Sequence, residues 1–300
     1  MRPPGSVWLT AFFVLGLVFS SQAQKEDDHR LRQPFGAAGL CSEFVIGGET
    51  VLLIVDTGAE ISALENRFVS KLDLEGDPKL TFDSRSLFGT QLGRAGANFS
   101  VQLGRNSISS GSPFVFLNKT VSIPGRPEGI LGIRPLVESG SMLDLSAKRI
   151  LPAGSEAKSK RQQLLSDSDW IGLEMTPLKS GSAVSISCLI GEQKLVWILD
   201  TGSSSSVLLP GSAARLDLAP RRSSVRLVDT ANETRSTRRA QLTGVKWTED
   251  FETEVPVFVS ELAGLAGYRK PVDGILGRDF LLKRGAVIDF GSDQVFLKIR

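Results

Sequence analysis

Residues Ile54–Ala59 have the sequence IVDTGA, and Ile198–Ser203 have the closely similar sequence ILDTGS. Each segment places an aspartate directly after an apolar run, and the two aspartates are 144 residues apart. The sequence GILG follows each aspartate at nearly the same distance, at Gly129–Gly132 and at Gly274–Gly277. The chain is therefore a tandem duplication, and we expect two similar lobes that each deliver one carboxylate.

The N-terminus has the features of an export signal. Arg2 precedes the apolar stretch Val7–Phe19, and small residues stand at the positions a signal peptidase requires, up to Ala23. Residues 1–23 are therefore predicted to be a signal peptide, which places the protein in the periplasm or outside the cell. The apolar stretch is shorter than the roughly 20 residues of a membrane-spanning helix, so an uncleaved anchor is the weaker alternative. No stable membrane span is predicted in the mature chain.

The rest of the chain divides by composition. Residues 24–37 are charged and lack apolar periodicity, which predicts a mobile leader. The stretches 38–150 and 171–300 contain short β-branched or aromatic runs between Gly, Asn, Ser and Pro, as is typical of all-β domains. Residues 151–170 are rich in polar residues and predict a linker between an N-terminal and a C-terminal lobe.

Charge and composition limit the partners. The chain has 35 basic and 33 acidic residues, a balance that argues against nucleic-acid binding. A local group of arginines has two interpretations, of which a solvated surface is favoured over a preference for acidic substrate side chains. These arginines are Arg221, Arg222, Arg226, Arg235, Arg238 and Arg239.

The sequence lacks the residues that several classes of catalytic site require. The single histidine, His29, lies in the predicted leader, so a Ser-His-Asp or Cys-His site has no base. The serines at Ser203–Ser206 are accordingly interpreted as turn residues. Nucleotide-binding and zinc-protease motifs are absent from the sequence, and no metal or cofactor is predicted. The two cysteines, Cys41 and Cys188, fit either an interlobe disulfide or two buried thiols.

The remaining chemistry is that of two carboxylates. Close to a twofold axis they cannot both ionise, so they share one proton. One carboxylate can then activate a water while the other protonates a substrate carbonyl, without a covalent intermediate. Threonine hydroxyls can reach the opposite loop, and glycines allow close approach of backbone N–H groups. The candidate catalytic residues are Asp56, Thr57, Gly58, Asp200, Thr201 and Gly202.

These motifs resemble those of the retropepsin-like and pepsin-like aspartic proteases, whose signature is Asp-Thr-Gly followed by a hydrophobic-hydrophobic-Gly strand. The resemblance covers both halves of the chain. It implies an all-β, bilobal fold of two retropepsin-like β-barrel lobes related by a pseudo-twofold axis, with a substrate cleft between them. It also implies that Asp56 and Asp200 form the catalytic dyad, braced by Thr57 and Thr201.

The resemblance further implies β-hairpin flaps over the cleft, at about Ser86–Gln91 and Asp229–Thr234. The single tyrosine, Tyr268, lies outside both of these regions, unlike the flap tyrosine of pepsin-like enzymes. Asp229-Thr230-Ala231 lacks the glycine of the catalytic motif, and Asp229 is predicted to form an Asx-type turn instead.

The predicted function is an exported aspartic endopeptidase acting on peptides or proteins. A monomeric pseudo-dimer is favoured over a homodimer that pairs lobes between chains. The alternative is a non-cleaving peptide-binding protein, because Arg134 and Pro135 replace the Asp279 and Phe280 of the second lobe. A carboxylate-pair glycosidase would need carboxyl groups at least about 5 Å apart and exposed aromatics, whereas Trp197 is expected in the core.

Overall fold

The computed structural model describes residues 30–33, 39–72, 80–117, 127–179, 183–267 and 271–300. Within these ranges the chain forms twenty strands and five α-helices, arranged as two barrels and one connecting sheet. The predicted signal peptide lies outside the described residues, as does Tyr268. No helix in the described ranges is both long and apolar enough to cross a membrane.

The first lobe is a β-barrel. Its seven strands have the order β1-β2-β7-β3-β6-β5-β4, and an added pairing between β1 and β5 closes six of them, leaving β4 outside. Apolar side chains such as Phe44 and Phe114 fill the barrel. The elements are β1 (Cys41–Ile46), β2 (Glu49–Val55), β3 (Ser62–Leu64), α1 (Asn66–Val69), β4 (Leu80–Arg85), β5 (Gln91–Leu103), β6 (Asn106–Phe116), β7 (Gly129–Leu131) and α2 (Ile133–Ser139).

A sheet of five short strands joins the lobes, in the order β10-β20-β19-β8-β9. Two of its strands follow the first barrel and three belong to the C-terminal half. The elements are β8 (Met142–Asp144), β9 (Arg149–Leu151), α3 (Ser155–Ser166), β10 (Trp170–Glu174), β19 (Val287–Asp289) and β20 (Gln294–Lys298). The last two strands, β19 and β20, form an antiparallel hairpin.

The second lobe repeats the first. From β12 onward its strands have the order β12-β13-β18-β14-β17-β16-β15, which matches the first barrel strand for strand, and β12 pairs with β16 to close it. The prediction of two β-barrel lobes is confirmed. The elements are β11 (Thr176–Lys179), β12 (Ala183–Ile190), β13 (Gln193–Leu199), β14 (Val207–Leu208), α4 (Pro210–Arg215), β15 (Arg221–Val228), β16 (Thr234–Lys246), β17 (Glu252–Val259), a 3-10 helix (Ala263–Gly267), β18 (Gly274–Leu276) and α5 (Arg278–Lys283).

The predicted linker contains the twelve-residue helix α3. Its cations pair with two fully buried aspartates of the connecting sheet. Lys160 Nζ lies 3.5 Å from Asp144 Oδ2, and Arg161 Nη2 donates to Asp289 Oδ1 at 2.9 Å. Because buried carboxylates need a charge partner, these pairs fix the helix on the sheet.

Part of the predicted mobile leader is ordered. Leu31 is only 4% exposed, and its backbone N–H donates to the Lys148 carbonyl at 2.7 Å. Arg32 and Cys41 exchange two backbone hydrogen bonds. Burial of an apolar side chain therefore holds residues 30–33 against the first lobe, while the rest of the leader lies outside the described residues.

Both cysteines are free thiols in the described structure, so the interlobe disulfide is not formed. Cys41 lies in β1 and Cys188 in β12. Burial raises the pKa of the Cys41 thiol to about 11 and that of Cys188 to about 12. Cys188 accepts a hydrogen bond from the indole of Trp197, which is fully buried as predicted.

Candidate active site

The two aspartates stand at the ends of matching buried strands. β2 runs parallel to β7, and β13 runs parallel to β18, so each GIL strand lies directly beside the strand that delivers an aspartate. The Asp56 N–H donates to the Leu131 carbonyl at 2.9 Å, and the Asp200 N–H donates to the Leu276 carbonyl at 3.0 Å. The GILG segments thus support the two aspartates from the adjacent strands.

Hydrogen bonds of the two threonines join the lobes. Thr57 Oγ1 donates to the Leu199 carbonyl at 2.7 Å, and Thr201 Oγ1 donates to the Val55 carbonyl at 2.8 Å. Each hydroxyl also accepts from the other threonine's backbone N–H, at 3.0 and 3.1 Å. Both side chains are fully buried, so these four bonds lock the two loops together as the sequence predicted.

The glycines let each loop touch the carboxyl group of the other. A Cβ added at Gly58 would lie 2.5 Å from Asp200 Cγ, and one at Gly202 would lie 2.3 Å from Asp56 Cγ. Backbone N–H groups orient the carboxyls, because Gly58 donates to Asp56 at 2.9 Å and Ser203 donates to Asp200 at 2.8 Å. The structure thus brings all six predicted residues together.

The environment makes the two carboxyl groups unequal. Burial raises the pKa of both, and the negative charge of Asp56 raises the pKa of Asp200 further, to about 8. The hydrogen bond from Gly58 works in the opposite direction at Asp56. Asp200 is 8% exposed, whereas Asp56 is half-buried. At neutral pH the pair therefore holds one proton, on the Asp200 side.

Arg278 is a buried cation near this pair that the sequence analysis did not assign to the site. It opens α5 and is 6% exposed, and its charge lowers the pKa of Asp56. A Cβ added at Gly39 would lie 3.1 Å from its Nη1, which shows that Arg278 reaches the first lobe. Ile133 takes the equivalent place at the start of α2. This difference between the repeats was visible in the sequence, but its proximity to the dyad was not.

The support behind the second aspartate is also specific to that lobe. Asp279 accepts from the N–H of Ser206 at 3.0 Å and from its hydroxyl at 2.7 Å. In both lobes a serine hydroxyl accepts a hydrogen bond from the backbone N–H of the glycine that ends the GILG segment. Ser62 accepts from Gly132, and Ser206 accepts from Gly277. The first lobe thus keeps the serine but has no carboxylate at the position of Asp279.

Two hairpins cover the cleft where flaps were predicted. β4 pairs with β5 and β15 pairs with β16, with turns at residues 86–90 and 229–233. Asp229 Oδ1 accepts from the backbone N–H groups of Ala231 and Glu233, each at 2.9 Å. The Asx-type turn predicted at Asp229 is therefore confirmed.

The two hairpins contact each other at their tips. The Phe88 N–H donates to Asp229 Oδ2 at 3.3 Å, and the Thr90 hydroxyl donates to Glu233. On the other side of the first hairpin, the Gly264 N–H donates to the Leu87 carbonyl at 2.9 Å. The two hairpins, together called the roof below, therefore close over the cleft in this structure.

Phe88 lies at the tip of the first hairpin, and sequence analysis did not predict its burial. It is 6% exposed and packs in an apolar cluster with Ile198, on the strand that leads to Asp200, and Ile275, on the neighbouring strand. The guanidinium of Arg235 lies 5.5 Å from its ring centroid. At the other tip, Ala231 packs against the equivalent cluster of the first lobe. A large side chain thus fills the second-lobe side of the cleft and a small one the first-lobe side.

Comparison with known proteins agrees with the duplication. Residues 42–134 and 186–280 each match the same family model, described as aspartyl protease, and together these matches cover more than half of the chain. A retropepsin-like aspartic protease from Rickettsia conorii is a structural match with 20% sequence identity and a TM-score of 0.32, covering 43% of this chain and 89% of that chain. Comparison with curated proteins finds no significant match. The family assignment rests on the two family-model matches.

Proposed function

The chain belongs to the aspartyl protease family, and from this premise we propose that it is an exported aspartic endopeptidase. Its substrates are peptides or proteins, cut at internal bonds by a water that the Asp56–Asp200 pair activates. One observation carries the proposal, namely the reciprocal threonine bonds that hold the two carboxyl groups together at the lobe boundary.

The pKa difference assigns the proton in this mechanism. Ionised Asp56 takes a proton from the water as its oxygen attacks the scissile carbonyl carbon, and protonated Asp200 gives its proton to the carbonyl oxygen. The resulting tetrahedral diol breaks its C–N bond when Asp56 returns a proton to the amine nitrogen. Asp200 then recovers a proton from the diol hydroxyl, which restores both groups to their starting states.

Substrate entry requires the roof to open. Phe88 occupies the apolar cluster beside the Asp200 loop, so we propose that an apolar substrate side chain takes its place when the flaps separate. Flap movements of this kind typically occur in microseconds to milliseconds. The tip bonds of Phe88 and Thr90 are the contacts that opening must break.

One chain is sufficient for the proposed site. The threonine bonds join residues of the same chain, 144 positions apart, which supports a monomeric pseudo-dimer. The predicted signal peptide at residues 1–23 supports action in the periplasm or outside the cell.

A second candidate is a peptide-binding protein that retains the cleft without cutting. The filled cleft favours it, because Phe88 occupies space that a substrate needs. The altered support in the first lobe, where Arg134 stands at the position of Asp279, also favours it. This candidate predicts binding of peptides without hydrolysis.

Digestion of a mixed peptide library by the mature protein separates the two candidates. The library is incubated from about pH 3 to about pH 7, the range in which a shared-proton pair works. Mass spectrometry of wild-type and Asp200→Asn digests should show internal cleavage by wild type alone. Binding of peptides by folded wild-type protein without cleavage at any pH would support the second candidate.

A further inference from the structure

The hairpin β15–β16, which is the second-lobe part of the roof, is strongly basic. Six arginines are exposed on it, namely Arg221, Arg222, Arg226, Arg235, Arg238 and Arg239. In the equivalent hairpin of the first lobe, the positions that correspond to two of the arginine pairs hold Leu80 opposite Gly96 and Thr81 opposite Ala95. Since the first-lobe hairpin pairs without an arginine at these four positions, the fold does not require Arg221, Arg222, Arg238 and Arg239.

The arrangement of the arginines destabilises the pairing of β15 with β16. Arg221 lies directly opposite Arg239, and Arg222 lies directly opposite Arg238. Like charges placed opposite each other on neighbouring strands destabilise the pairing. Among the described residues, Arg235 is the only one of the six within an ion pair, at 3.4 Å from Glu233. An anion bound from outside would relieve this repulsion.

One of these pairs lines a groove. The groove has a volume of about 780 Å³ and lies between the hairpin and α4, with Arg222 and Arg238 on its hairpin side. That volume falls within the roughly 300–1,000 Å³ of ligand-binding clefts. Ser223 and Ser236 add hydroxyl groups to this wall, and Pro210 contributes to the opposite one. The groove thus offers charge and hydrogen bonds on one side and an apolar surface on the other.

The groove lies close to the roof of the catalytic cleft along the hairpin, but on the opposite face of the hairpin. Arg235, next to the hairpin tip, contacts the ring of Phe88, and Arg238 lies three residues further along β16. Three residues of extended strand span about 10 Å. A polypeptide that leaves the cleft and passes around the edge strand β15 can therefore reach the groove within several residues.

We propose that this groove is a second substrate contact, which binds acidic side chains of the protein being cleaved. The proposal rests on the proposed protease function and adds its substrate class. The carboxylates of the bound segment pair with Arg222 and Arg238, while its apolar atoms pack against the α4 side. Since the arginines are exposed, the interaction weakens as salt screens it.

The test uses two fluorescent peptides that differ only in having a run of glutamates or of glutamines. Their binding to the inactive Asp200→Asn protein is measured by fluorescence anisotropy. The Arg222→Gln/Arg238→Gln double variant in that background should bind the glutamate peptide about tenfold more weakly, the effect of two exposed charge contacts. The matched control is Arg221→Gln/Arg239→Gln, which removes the same charge from the neighbouring pair on the other face of the hairpin.

Cleavage by otherwise wild-type protein gives a second readout. The ratio of kcat/KM for the glutamate and glutamine peptides should fall about tenfold in the groove variant, through KM, and stay unchanged in the control. Equal falls of this ratio in both double variants would overturn the proposal, since they would indicate a general electrostatic attraction to the arginine-rich hairpin and not binding in the groove. Tighter binding of heparin or single-stranded RNA than of the glutamate peptide would overturn it also. If no peptide is cleaved, the protease function fails, and the anisotropy result still decides the groove.

Discussion

Thr57 and Thr201 hold each other across the lobe boundary, since the backbone N–H of each donates to the hydroxyl of the other. Both hydroxyls donate onward to a carbonyl of the opposite strand, at Leu199 and Val55. Each threonine therefore fixes both the position of its own loop and that of the other. The two Asp-Thr-Gly motifs form one hydrogen-bonded unit.

Loss of one hydroxyl should weaken this unit. Thr201→Val leaves the Val55 carbonyl and the Thr57 N–H without their buried partner, which should lower the free energy of unfolding by about 2–5 kcal/mol. Urea denaturation followed by fluorescence measures this change. Thr201→Ser keeps the hydroxyl and is the control. Equal stability of the Val and Ser variants would contradict the assigned role.

The close approach of the glycines should be essential for catalysis. In Gly202→Ala the new Cβ meets Asp56 Cγ at 2.3 Å, so the carboxyl must move. A displacement of about 1 Å at reacting groups costs roughly a hundredfold in rate, and we expect a loss of that size in kcat. Gly211→Ala is the matched control, because its added Cβ meets no atom within 4 Å. Activity in Gly202→Ala equal to that of the control would show that the loop tolerates the methyl group.

The proton held by Asp200 should make stability depend on pH. Its pKa in the folded protein, about 8, lies above the value of about 4 in an unfolded chain. The stabilisation is therefore fully present below about pH 4 and is lost as the pH rises to about 8. Between these limits the Tm of wild type should fall more than that of Asp200→Asn, which cannot ionise. Scanning calorimetry checks this.

Asp250→Asn is the control for that experiment, because Asp250 is an exposed aspartate of the same lobe. Its pH dependence should follow that of wild type. Parallel curves for wild type and Asp200→Asn would mean that the carboxyl pair does not hold the proton.

Phe88 should compete with substrate. Replacing it by alanine removes the side chain that fills the apolar cluster and its contact with Arg235. Because burial of a phenylalanine is worth about 1.5–3 kcal/mol, part of which opposes opening, kcat/KM for peptides with a large apolar residue should rise, by up to about tenfold. Phe88→Leu, which keeps most of the bulk, should change it less. A lower kcat/KM in Phe88→Ala would identify Phe88 as a substrate-binding residue instead.

Local sequence patterns predict the parts of the structure that neighbouring residues determine. The IVDTGA and ILDTGS segments sit on buried strands because apolar runs precede them, and Asp229 forms its turn through its own neighbouring backbone. The pairing of Arg161 with Asp289 joins residues 128 positions apart, and no local period links them. The burial of Phe88 likewise depends on the other lobe, so sequence analysis placed it only at a hairpin tip.

The most direct test of the carboxylate pair is a double-mutant cycle in kcat/KM. Wild type, Asp56→Asn, Asp200→Asn and the double variant are compared on one peptide identified by library digestion, after each is shown to be folded. Because the two groups act as a unit, each single change should cost at least about a hundredfold and the double change no more than either. Losses that multiply, or a single variant that keeps more than about a tenth of the activity, would contradict the account.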